Sequence, residues 1–268
     1  MGLIVHHLNC GSSCPRGVSL SGAFSKPVIN HCLLVETRDG LVLVDTGMGR
    51  AIAEDPISKL GRLRSFTLGI ERENTEIFAA KDLIEQLGYS AADVRHIIPT
   101  HLDFDHCGDL VDFPEASVHV FRQEKERALS PRNMMERGRY LAHTIEHGPK
   151  WTEYDGHDGE KWFGFDTVRE LPGVHSDILL VPLFGHTAGH TGIAVRTTKG
   201  WVLHAGDAYY QRAELFGEIG AWGTMVGNTI HASPQSARAN QSRLRELIEH
   251  HADIDVFCRH DPQECDCT

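Results

Sequence analysis

The sequence predicts an α/β or α+β fold, on three observations. Short β-branched segments alternate with helical ones along the whole chain. Gly, Asp and Asn turns bound the strands of the N-terminal third. Imidazole or carboxylate side chains stand at the ends of four apolar strands, where loops beyond a rigid sheet present functional groups.

The N-terminal third reads as strands: "LIVHHL" (3–8), "VINHCLLVE" (28–36) and "LVLVDTG" (41–47), with "RDG" (38–40) turning the second into the third. A helix follows in "TEIFAAKDLIEQLGY", with Asn74 or Thr75 as its cap and Gly88 as its stop. Its residues Ile77, Phe78, Leu83, Ile84 and Leu87 fall largely on one stripe. "VRHIIPT" (94–100) is the next strand, then "SVHVF" and a charged helix "RQEKERALS". Residues 130 to about 170 are polar and irregular, with "EYDGHDGEKWFGFD" reading as loop. The remaining strands are "DILLVPL", "GIAVRT", "GWVLHAGD" and "DIDVFCRH", with a helix "SARANQSRLRELIEHH" before the last.

Residues 1–268 carry no internal repeat, low-complexity stretch or Pro/Gly-rich linker, so a single domain is expected. A chain of this length buries a sizeable core without covalent help. The net charge of -11 argues against a nucleic-acid partner, and "RLR" (62–64) is expected to be no more than a solvated face. No apolar run is long enough for a membrane span, and the opening "MGLIVHHLNCGSSCPRG" lacks a secretory pattern, so a cytoplasmic protein is expected. The 7 cysteines are odd in number. Cys10 with Cys14, and Cys265 with Cys267, lack zinc-knuckle spacing, and reduced, mostly inert thiols are expected.

The chemistry concentrates in "HIIPTHLDFDHCGDL". His101 and His106 lie five residues apart around a loop, with Asp103 and Asp105 between them, so both imidazoles can face one cavity. Taken alone, the loop reads equally as polar, with carboxylates capping a helix near Gly108. His186 after strand 178–183, Asp207 in "WVLHAGDAYY" and His260 in "DVFCRHDP" repeat the arrangement, and together they favour a shared metal centre. Cys107 reads as a packing residue.

These motifs resemble the metallo-β-lactamase superfamily: "VDTG" (44–47), an H-x-[H/D]-x-D-H loop (101–106), "GHTAGH" (185–190), "GD" (206–207) and the closing His260, in order. The resemblance implies an α+β (αββα) sandwich of two mixed sheets packed face to face with helices outside. It also implies two divalent ions, zinc first and iron or manganese next. One would lie on His101, Asp103 and His186, the other on Asp105, His106 and His260, with Asp207 bridging them. A hydroxide between two such ions attacks a carbonyl. Asp45 would orient ligands from behind. Asp103 stands where histidine is usual. Flavodiiron oxygen reductases, which are related, carry a metal-binding glutamate there. Asp103 therefore reads either as a ligand or as the mark of a weakened first site.

Within the superfamily the sequence is most similar to the quorum-quenching N-acyl homoserine lactonases, on "VDTGMG", "THLDFDHCGDL" and "GDAYY". That similarity implies a small lactone or ester substrate, Tyr210 polarising its carbonyl, and Asp105 carrying a proton to the leaving alkoxide. Tyr210 reads otherwise as a packed ring. A glyoxalase II-like thioesterase and a non-catalytic metal-binding or sensor module stay open as alternatives. The segment 130–170 reads as a lid or pocket wall, a surface excursion or a dimer contact, and "ELFGEIGAWGTMVGN" (214–228) as a second pocket wall.

Overall fold

The computed structural model describes residues 2–13, 15, 28–70, 79–156, 159–168, 171–218 and 229–265. Strand order follows from the hydrogen-bonded ladders. One sheet is six-stranded, with β1 (Ile4–Ser13), β2 (Val28–Thr37), β3 (Gly40–Val44), β4 (Val94–Ile98), β5 (Ser117–Phe121) and β6 (Lys150–Tyr154) in that spatial order. From β3 to β6 the strands run parallel, and β2 is antiparallel to β3. A second sheet is ordered β12 (Ile254–Phe257), β11 (Gly200–His204), β10 (Thr191–Thr197), β9 (Ile178–Pro182). Here β10 is antiparallel to both neighbours and β11 is parallel to β12, so β9, β11 and β12 share one direction. The short β7 (Lys161–Trp162) and β8 (Phe165–Asp166) pair with each other.

The two large sheets pack face to face. Leu33, Val44, Ile98 and Phe121 of the first interdigitate with Ile178, Leu180, Ile193 and Phe257 of the second. The alternate residues of each sheet point outward and are covered by helices, because a strand buried on both sides must find a partner on each. Ala80 and Ile84 of α4 (Ala80–Gln86) and Ile145 of α7 (Ala142–Ile145) cover the first sheet beside Leu43, Ile97 and Val118. Leu244 and Leu247 of α9 (Pro234–His250) cover the second beside Leu179, Val181 and Leu203. The result is four layers, αββα.

Several boundaries differ from the expected ones. β1 runs on to Ser13 through a bulge between Asn9 and Ser12. Of the expected helix 75–89, Ala80–Gln86 is helical, and Asn74, Thr75, Ile77 and Phe78 lie outside the described residues. So do Cys14, Cys267 and all of 214–228 beyond residue 218. Pro234 sits at the first turn of α9 and Ser233 caps it, so that helix starts two residues earlier than its stripe suggests. Three short helices went unread: α1 (Arg50–Glu54), α2 (Pro56–Leu60) and α3 (Arg62–Leu68).

The segment 130–170 is less irregular than expected. It holds α6 (Met134–Arg139), α7 and the edge strand β6, whose "KWTEY" alternates too weakly to stand out as a strand. Between β5 and α6 lies α5 (Arg122–Leu129), and α8 (Arg212–Leu215) follows β11. Cys10, Cys32, Cys107 and Cys258 are free and buried. Cys265 departs from the expectation of reduced thiols: it is disulfide-bonded, a half-buried sulfur outside the sheets rather than a core residue. Among the described residues no helix is long and apolar enough to cross a membrane.

Candidate metal centre

The C-terminal ends of the strands carry the chemistry. β4 delivers the loop with His101, Asp103, Asp105 and His106; β9 delivers His186, β11 Asp207 and β12 His260. The structure draws all of these together. Three groups form, His101–Asp103–His186, His101–His106–Asp207 and Asp105–His106–His260, with the donor atoms of each within 4.8 Å of one another. Asp207 stands at the middle: Oδ1 is 3.3 Å from His106 Nε2, while Oδ2 is 3.3 Å from His260 Nε2 and 3.5 Å from His186 Nε2.

The hydrogen bonds behind the rings decide what those contacts mean. His260 Nδ1 is 2.8 Å from the carbonyl of Ile29, which can only accept, so Nδ1 carries a proton and in the neutral ring Nε2 is bare. His106 Nδ1 donates to Asp45 at 2.8 Å with the same consequence. In the neutral, metal-binding form of the rings each bare nitrogen faces a carboxylate oxygen, lone pair against lone pair, and no hydrogen bond satisfies that arrangement. His101 Nε2, His106 Nε2 and Asp207 Oδ1 are buried without a hydrogen-bond partner. Buried orphans of this kind are costly unless a cation binds between them. The donor set therefore fits a divalent metal, and imidazole with carboxylate suits zinc, iron or manganese.

The frame behind the ligands is also buried. Asp45 sits at φ 57 in the left-handed region, strained for a non-glycine residue. Its carboxylate accepts from the Thr100 backbone at 2.7 Å, from His106 and from Arg259 at 3.2 Å. Burial alone would raise the Asp45 pKa; His106 and Arg259 outweigh burial and hold it well below the usual carboxylate range. Arg259 is fully buried and also donates to Asn30 and to the carbonyl of Asp105. His190 donates from Nδ1 to Leu183 and accepts the Asp207 backbone N–H on Nε2 at 2.9 Å. Burial first, then His101, push its pKa down to about 3, which keeps Nε2 an acceptor. Gly206 has φ +56, and a Cβ there would lie 2.6 Å from His190 Nε2, so only glycine lets Asp207 reach the site this way.

Asp103 is engaged differently. Its Oδ2 lies 3.3 Å from His101 Nε2 and 3.4 Å from His186 Nε2, yet Nε of Arg139, on α6, donates to its two oxygens at 3.0 and 2.9 Å. Burial would raise the Asp103 pKa, and Arg139 outweighs it and holds the carboxyl well below its usual range. Tyr210 stacks on His260 at 5.6 Å between centroids, with its hydroxyl 3.4 Å from His186 Nδ1. The cavity over the centre measures about 380 Å³ and has Met48, Leu68, Ile70 and Phe104 in its wall. Arg64 also lines it, 4.5 Å over the Phe104 ring, so one residue of "RLR" turns inward rather than to solvent. Cys107 packs, with Sγ donating to the carbonyls of Leu102 and Asp103, and burial pushes its thiol pKa up.

Sequence reasoning missed Arg139, Glu124, His190 and Arg259. Only His190, inside "GHTAGH", carried a signal that could have found it. Glu124 lies in a helix that reads as surface, yet it is wholly buried. Its carboxylate accepts from the Leu102 and Gly189 backbones at 3.0 and 2.8 Å and from the Tyr140 hydroxyl at 3.1 Å, tying the two ligand loops together. Glu124→Ala would strand three buried donors, and urea denaturation is expected to show a loss on the order of 3 kcal/mol. An unchanged midpoint would remove Glu124 from the frame.

Comparison with known proteins gives the same architecture. The family model described as the metallo-beta-lactamase superfamily matches residues 25–255. A probable metallo-hydrolase of Mycobacterium tuberculosis is 42% identical over 261 residues, covering 96% of this chain and 80% of its own. An N-acyl homoserine lactonase of Bacillus thuringiensis is 30% identical over 240 residues, covering 88% and 83%. The solved structure of an N-acyl homoserine lactone hydrolase, with N-hexanoyl-L-homoserine at its catalytic metal centre, superposes with a TM-score of 0.73 at 22% identity, covering 98% of this chain and 96% of that one. A quorum-quenching N-acyl homoserine lactone lactonase gives 0.72 at 21% identity, covering 100% and 96%. With the motif order, the layered sheets and a match across most of its length in agreement, this chain belongs to the metallo-beta-lactamase superfamily.

Proposed function

We propose that the protein is a metal-dependent hydrolase that opens a lactone or a related carboxylic ester. The observation that carries this reading is the convergence of bare imidazole nitrogens and carboxylate oxygens at the floor of an apolar-walled cavity. His101, Asp103, Asp105, His106, His186, Asp207 and His260 are the candidate donors from which metal would be held. A divalent ion there supplies Lewis acidity towards a carbonyl oxygen and acidifies a water, zinc being the first candidate and iron or manganese the next.

The chain's own groups supply the rest. Asp207 touches three imidazoles and keeps the donors from both sheets in one cluster. Burial, then the Asp207 charge, push the Tyr210 pKa well up, so its hydroxyl stays protonated and can donate to the oxygen on which negative charge develops. Asp105 Oδ2 lies 3.7 Å from His260 Nε2 beside the cavity and is placed to pass a proton to the leaving alkoxide. Met48, Leu68, Ile70 and Phe104 offer an apolar wall for an acyl chain. Met135 and Arg139 bring part of 130–170 to the same cavity, which supports that segment as pocket wall.

The test is hydrolysis by the full chain, loaded with zinc, iron or manganese in turn, of N-acyl homoserine lactones with short and long acyl chains, aliphatic esters and thioesters. Lactone or ester turnover is expected to exceed thioester turnover, to vanish on chelation and to return with metal. Preference for thioesters would shift the assignment to that class, and no turnover of any substrate by the metal-loaded protein would refute it.

A further inference from the structure

The donors around the cavity divide into two sets by what already engages them. In the first, Asp103 takes the Nε of Arg139 on both oxygens, and His186 Nε2, the ring atom turned towards Asp103 and Asp207, accepts from the same guanidinium at 2.5 Å. The third nitrogen of Arg139 donates to the carbonyls of His186 at 3.1 Å and Ile230 at 2.8 Å. Every nitrogen of this buried guanidinium is thus used, and the fork is fixed in place. In the second set the opposite holds: His101 Nε2, His106 Nε2 and Asp207 Oδ1 have no hydrogen-bond partner, and these are the three residues of one donor group. Asp105 and His260 adjoin that group through His106 and Asp207.

We propose that the Arg139 guanidinium takes the place of one of two metal ions, and that the chain loads a single divalent ion on His101, Asp105, His106, Asp207 and His260. The charge pattern accounts for this. A guanidinium and a divalent cation cannot share Asp103 and His186 without mutual repulsion in a site with little water to screen it. A carboxylate at position 103 is the natural partner of an arginine, since it brings opposite charge and two acceptor oxygens, whereas a neutral histidine would bring one acceptor and no charge. Asp103 is then neither a full ligand nor a defect; it anchors a built-in cation that faces the same cavity as the metal. This inference rests on the hydrolase reading only in requiring a metal at all.

The experiment is a count of metal per chain. The full-length protein is loaded with excess zinc, freed of loose ion by gel filtration, and measured by native mass spectrometry and elemental analysis. One ion per chain is expected. The double variant Asp103→His/Arg139→Met, checked for folding by circular dichroism, is expected to hold two. Two ions on the unaltered chain, or one on the folded double variant, would overturn the proposal. No ion on either protein would instead overturn the metal-centre reading beneath it.

Discussion

Asp207→Ala is expected to abolish hydrolysis and metal loading together. The Asp207 carboxylate lies within 3.5 Å of His106, His186 and His260 at once, and its Oδ1, like Nε2 of His101 and of His106, is buried without a hydrogen-bond partner. Removing it takes away the negative charge at the middle of a cluster of imidazoles, so a cation loses the carboxylate that faces three of its other donors. A fall in kcat/KM of at least about a thousandfold is expected, the scale on which an essential charged group acts. Metal analysis of the same sample should show the loss in parallel, with the circular dichroism spectrum retained. Full turnover by the variant would dispose of the central role given to this residue.

The second large effect concerns Asp45, which touches no substrate. Asp45→Asn removes the charge that faces the fully buried Arg259, taking away the carboxylate paired with that guanidinium at 3.2 Å. Breaking a buried pair from one side costs about 3–5 kcal/mol. For a chain of this size that corresponds to a fall in melting temperature on the order of 10 °C. The His106 ring also loses the charged acceptor that fixes its tautomer, since asparagine keeps only one acceptor oxygen for the Thr100 and His106 donors, and about 10–100-fold weaker metal binding is expected from that alone. Calorimetry and metal titration should both move. A variant with weaker metal binding but unchanged melting would show that Asp45 orients His106 without holding Arg259.

The two kinds of residue differ in how visible they were from sequence. His101, His106, His186, Asp207 and His260 stand within a few positions of an apolar strand, in short motifs whose order along the chain has meaning by itself. Their gathering was therefore legible, and so was the layered fold, because the strands are long enough for burial to dictate their composition. Arg139 was not legible. It reaches Asp103 across 36 positions from a polar segment with no periodic pattern, and nothing local marks an arginine as inward-facing. Glu124 was hidden for a different reason: one buried carboxylate among exposed charged neighbours in α5 has the same composition as a wholly solvated helix. The helices α1 to α3 are each under two turns, too short for propensity to declare them, and they form because Ile52 and Leu60 pack against Met48, Ile70 and Phe104.

The donors are supplied by two separate β-layers, one contributing His101, Asp105 and His106, the other His186, Asp207 and His260. Their relative alignment is kept by the side chains wedged between, Val44, Ile98 and Phe257 among them. Either layer could loosen at its far rim and leave the chemistry intact. A slide of one layer over the other by an ångström would not, since it would part the ligands while every strand stayed paired. Shear, rather than unravelling, is the deformation to which this enzyme's working parts are most exposed.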